Sequence, residues 1–122
     1  MVQHLTTKNF DQTIKEDKLT VVDFWAAWCG PCRAMAPQFE LASELRPQYA
    51  FGKVDVDAEP LLAQRYGIQA IPTLIVFKAG KPVAAQAGLV PANQLVQALD
   101  RLNEKLAAEA GSQPENQATV AS

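Results

Sequence analysis

Apolar residues fall along the chain in short blocks whose period changes from one block to the next. Between Thr7 and Asp17, Phe10 and Ile14 stand four apart behind Thr6 or Thr7 as an N-cap, which predicts a short helix. Leu19 to Trp25 is a compact run rich in Val and aromatics, the pattern of a strand covered on both faces, and only Asp23 interrupts it. A helix is then predicted from Cys29-Gly30-Pro31-Cys32 to about Arg46, ended by Pro47. Met35, Phe39 and Ala42 at i, i+4 and i+7 supply its apolar face. Pro37 falls inside it, where it removes a backbone donor and is expected to kink the axis.

Ala50 to Val56 alternates as a second buried strand, with Val54 and Val56 on one face and Lys53 and Asp55 on the other. Pro60 opens a short helix and Gly67 closes it. Thr73 to Phe77 and Val83 to Ala87 read as strands joined through Ala79-Gly80 into a hairpin. The last helix is predicted to start at Pro91 and to carry the stripe Leu95, Leu99, Leu102, Leu106. Its N-cap, Val90, offers no acceptor. From Ala108 to Ser122 periodicity is lost and the residues are small and polar, so the expectation is one domain over 1–107 and a disordered tail over 108–122. Strand–helix–strand alternation ending in a hairpin and a helix predicts an α/β fold, a mixed sheet with helices on both faces.

Composition narrows the function. At 122 residues and 13.3 kDa the chain has the size of one domain and can bury a core without disulfides or metals. A net charge of −2 with no basic cluster argues against nucleic acid as a partner. No apolar run approaches the roughly 20 residues that span a bilayer. Met1-Val2-Gln3-His4 has neither the charge nor the apolar stretch of a signal peptide, so the expected place is the cytoplasm, where thiols stay reduced.

In that setting two cysteines three residues apart point to redox chemistry. Cys29, at the start of a helix, sits where backbone N–H groups and the helix dipole favour a thiolate, the nucleophile of disulfide exchange. Cys32, one turn along, can attack the mixed disulfide that forms. Gly30 is expected to allow a tight turn and Pro31 to fix a helix-compatible backbone. A structural zinc needs about four ligands, whereas the chain offers two cysteines and the distant His4, read as a surface residue. Asp23 admits two readings. It is a buried carboxyl with a raised pKa that carries protons, or it points outward or pairs with Lys53 for structure alone. Ile71-Pro72-Thr73 reads, from the residues alone, as an ordinary trans proline at the mouth of a strand.

Val22-Asp23-Phe24-Trp25-Ala26 followed by Trp28-Cys29-Gly30-Pro31-Cys32 resembles the thioredoxin family. The likeness continues through Pro37, Lys53 to Asp57, Tyr66-Gly67-Ile68, Ile71-Pro72-Thr73-Leu74 and Gly88, over roughly Thr6 to Leu106. It implies the thioredoxin fold, a central mixed five-stranded sheet flanked by four helices. It implies Cys29 as attacking thiol, Cys32 as resolving thiol, Asp23 as the proton acceptor beneath Cys32 with Lys53 tuning it, and Pro72 as a cis-proline. Trp28, Gly30, Pro31, Ile71, Pro72, Ala87 and Gly88 match a flat surface for extended substrate segments, and Asp57 matches an acid that supports Trp25 or Trp28. Val90 departs from the capping Ser that is common there.

The resemblance implies a general protein-disulfide reductase. A flavin-containing thioredoxin reductase would restore it using NADPH, with disulfide-bonded proteins as substrates and no cofactor or metal in the chain itself. A monomer is expected, without membrane or nucleic acid as partner. Two alternatives stand beside this. One is a thiol oxidase or isomerase on the same fold, from which Gly30-Pro31 differs by lacking a His at the second place. The other is a non-enzymatic subunit that uses the docking surface alone.

Overall fold

The computed structural model describes residues 1–121, with side chains described through residue 110. The elements run β1 (Val2–His4), α1 (Phe10–Ile14), β2 (Thr20–Trp25), α2 (Gly30–Leu45), β3 (Ala50–Asp55), α3 (Pro60–Arg65), β4 (Thr73–Lys78), β5 (Lys81–Ala87) and α4 (Ala92–Ala121). The strands form one mixed sheet in the order β1-β3-β2-β4-β5. β3 is parallel to both β1 and β2, while β4 is antiparallel to β2 and β5.

The pleat divides the core. On one face Val21, Phe51, Leu74 and Val76 pack with Met35, Phe39 and Ala42 of α2 and with Leu95, Val96 and Leu99 of α4. On the other, Val22, Phe24, Val54, Ile75 and Phe77 pack with Phe10 and Ile14 of α1 and Leu62 of α3. Successive strand residues point to opposite faces, so Asp23 shares the α2 face with Val21. β3 carries Gly52 where Leu5 crosses it: a Cβ there would stand 2.9 Å from Leu5 Cγ. In the β4–β5 turn, Ala79 and Gly80 have φ of 53° and 84°. Two successive residues with positive φ match the right-handed twist of a tight hairpin.

Three expectations shift. α1 starts at Phe10 rather than Thr7, because local side chains hold the preceding residues in a turn: Thr6 N–H donates to Asn9 Oδ1 at 2.8 Å and Lys8 N–H to Thr6 Oγ1 at 3.2 Å. Val2–His4, for which the pattern predicts no element, is a strand on the sheet edge, with His4 exposed. α4 continues past Leu106 into the segment predicted to lack structure. Residues 108–110 are helical and exposed, since Ala and Glu form helix without help from packing. The side chains of the tail beyond them, and Ser122 altogether, lie outside the described residues. Among the described residues no helix is long and apolar enough to cross a membrane.

Candidate active site

The site is built where β2 ends and α2 begins. Trp25 closes β2, Ala26 to Trp28 turn outward, and Cys29 occupies the N-cap of α2 with extended backbone, φ −90° and ψ 114°. Its Sγ accepts the N–H of Cys32 at 3.2 Å, so the sulfur takes the place of the oxygen of a capping Ser or Asp. The same N–H and the helix dipole are there to hold a negative sulfur in the dithiol form. Cys29 and Cys32 are joined as a disulfide across a Cα–Cα distance of 5.2 Å. Both are nearly buried, 5 % and 3 % exposed. Ala26 packs with them, and Trp25, Val56 and Ile71 close over the group.

Gly30 makes no tight turn, contrary to the expectation. It is the first helical residue, and a Cβ there would meet only Arg33 Nη2, at 3.9 Å. What its lack of a side chain leaves is open surface beside Cys29. Pro31 follows within the first turn, where its missing N–H costs nothing.

The Ile71–Pro72 peptide is cis. Ile71 O lies 3.7 Å from Cys29 Sγ, and Pro72 O accepts the N–H of Gly88 at 2.8 Å. Gly88 has φ 94° and is followed by Leu89, which is half exposed. Ala87 pairs with Thr73 across the β4–β5 ladder. Trp28 stands 68 % exposed, yet its indole N–H donates to Asp57 Oδ2 at 2.8 Å, so the ring is tethered. Of the two tryptophans weighed for Asp57, Trp28 is therefore its partner. Trp25 Nε1 is buried with no hydrogen-bond partner among the described residues.

Asp23 is 1 % exposed, and its Oδ1 finds no hydrogen-bond donor among the described residues. The outward-pointing reading is thereby excluded. Lys53 is opposite Asp23 in the β2–β3 register, but the two form no ion pair; its ammonium sits 4.5 Å from the centre of the Trp25 ring. Burial pushes the Asp23 carboxyl up to about 6, and the positive charge of Lys53 offsets part of that rise. No group of three or more His, Cys, Asp or Glu among the described residues could hold a metal ion.

Residue patterning missed two contributors on α2. Met35 reads as a core residue, and nothing in the pattern singles out Gln38. In the structure Met35 Sδ accepts the N–H of Val90 at 3.4 Å and Gln38 Oε1 the N–H of Ala92 at 2.8 Å. The signal was the absent cap at Val90, which obliges some other element to supply acceptors.

The thioredoxin family model matches residues 1–101. The chain is 48 % identical over 87 residues to putative thioredoxin 2 of Streptomyces coelicolor, which covers 71 % of this chain and 65 % of that one. It is 49 % identical over 92 residues to thioredoxin of Alicyclobacillus acidocaldarius, covering 75 % and 88 % respectively. The solved thioredoxin of Malassezia sympodialis superposes with a TM-score of 0.75 at 38 % identity, over 82 % of this chain and 91 % of that one. With the fold, the cysteine pair and these matches in agreement, the chain belongs to the thioredoxin family of thiol–disulfide oxidoreductases.

Proposed function

We propose that the protein is a general protein-disulfide reductase, a reading carried above all by the sulfur of Cys29 capping α2 with Cys32 one turn behind it. The Cys29 thiolate attacks one sulfur of a substrate disulfide and releases the other as a thiolate, leaving a mixed disulfide. Cys32 then loses its proton and attacks Cys29 Sγ. The second substrate sulfur departs, and the two electrons remain with the substrate while Cys29 and Cys32 form their disulfide.

Asp23 is the acceptor of the Cys32 proton. A carboxyl on the α2 face with its pKa near 6 takes up a proton close to neutral pH and returns it, and Lys53 holds that value below what burial alone imposes. Trp28, Ile71, Pro72, Ala87 and Gly88 form the surface on which an extended substrate segment docks, with Gly30 and Pro31 keeping the approach to Cys29 low. A flavin-containing thioredoxin reductase drawing on NADPH restores the dithiol, and the setting is the cytoplasm. The working domain is residues 1–107, acting as a monomer.

Insulin reduction by the wild type and by Cys29→Ser tests the reading. Turnover in the wild type and its loss in the variant support it. Equal rates in both would mean that the cysteine pair is not the reducing centre.

A further inference from the structure

The chain from Gly88 to Ala92 links the proposed docking surface to α4, and its backbone donors cannot be satisfied locally. Pro91 has no N–H, and Val90, just ahead of it, brings no acceptor. Unpaired, the N–H groups of Val90 and Ala92 would carry the cost of any half-buried orphan donor. Both are met from α2, by Met35 Sδ at 3.4 Å and Gln38 Oε1 at 2.8 Å. Cys32, Met35 and Gln38 follow one another at intervals of three along that helix, so they share one flank of it. At its other end the segment is held by Gly88 N–H on Pro72 O, at 2.8 Å. Gly88 and Leu89 are thus suspended between the cis-proline loop and the helix that carries the cysteines.

We propose that Met35 and Gln38 are positioning residues that fix the Gly88–Leu89 edge of the docking surface at its working distance from Cys29. This rests on the reading of that surface as the substrate platform. Gln38 is the stronger of the two, since an amide oxygen is a good acceptor and a thioether sulfur a weak one. With an apolar residue at 38, the Ala92 N–H turns to water and the segment occupies its docking position only part of the time. An extended polypeptide is then bound less well, in proportion to the population lost. A small disulfide that meets only the Cys29 sulfur is untouched.

The test is single-turnover oxidation of the pre-reduced full chain, followed by tryptophan fluorescence, with insulin and with hydroxyethyl disulfide. Gln38→Leu is expected to raise the half-saturating insulin concentration about five-fold, the size of one net hydrogen bond. Its maximal rate and its rate with hydroxyethyl disulfide stay within about two-fold of the wild type. Gln38→Glu keeps an acceptor for Ala92 N–H and restores insulin binding. Met35→Leu, which conserves volume, gives a smaller shift in the same direction, and it decides alone if Gln38→Leu does not fold. Unchanged insulin saturation, or equal slowing with both disulfides, overturns the proposal. A wild type that reduces hydroxyethyl disulfide but not insulin would instead overturn the reductase reading.

Discussion

Asp23 ties the stability of the fold to pH, because its carboxyl keeps a proton up to about pH 6 in the folded chain and only to about 3.8 in the unfolded one. Between those values the folded state binds the extra proton, so stability falls as pH rises through the window and is level above it. The whole shift corresponds to about 3 kcal/mol. Asp23→Asn removes it: denaturant unfolding should show little change at pH 4 and a gain of about 2–3 kcal/mol at pH 8. The same variant should slow turnover near neutral pH, because it removes the base proposed for Cys32. The roles proposed for the two cysteines predict different products. Cys32→Ser should accumulate a mixed disulfide on Cys29, visible by mass spectrometry, and Cys29→Ser none. The placement of this pair was legible in the sequence because it depends on local geometry, two cysteines three residues apart at one helix start. Asp23 was not, because its burial is set by register with Lys53 and Leu74 and by the helix above it, none of which is near in the chain.

Among the elements, α2 and α4 are bound at both ends of their contact. Near the cysteines α2 supplies the caps that α4 lacks; at its far end Arg46 donates to Asp100 from Nε and, at 2.8 Å, from Nη2, while Tyr49 O–H donates to Asp100 Oδ1 at 2.7 Å. Burial and then the Asp100 carboxylate push the Tyr49 phenol up to about 12. Asp100→Asn should bring that phenol down part of the way in an ultraviolet pH titration. Because the pair is partly solvated, the melting temperature should fall by only about 2–4 °C. Helix stripes and strand runs were readable because period alone reports them, and the buried faces of α2 and α4 follow that reading. A boundary set by side chains was not: Asn9 delays α1, whereas α4 starts within one residue of the predicted Pro91 and only the acceptor from Gln38 went unread. The stripe of α4 ends at Leu106 and residues 107–110 are exposed. A chain ending at Ala110 should therefore melt within about 2 °C of the full one by circular dichroism.

On the scale of the whole molecule, one sheet separates two apolar layers, and both cysteines belong to the α2 side. The mixed sheet was foreseeable from the alternation of helix and strand, whereas β1 was not, since three residues carry too little period to read. The strand order leaves β1 and β5 as the borders of the sheet. Both are poor templates. β1 spans three residues, and β5 opens with Lys81-Pro82 and slips register against Val76 and Phe77. Charge, a missing donor and an irregular ladder each discourage a foreign strand from adding on. For the disulfide-bonded chains proposed as substrates, these borders offer no ready strand to extend. Replacing both border residues, Lys81→Val with Pro82→Val, should leave disulfide exchange intact yet raise light scattering and thioflavin binding on warm storage, as the bare strand recruits its own kind.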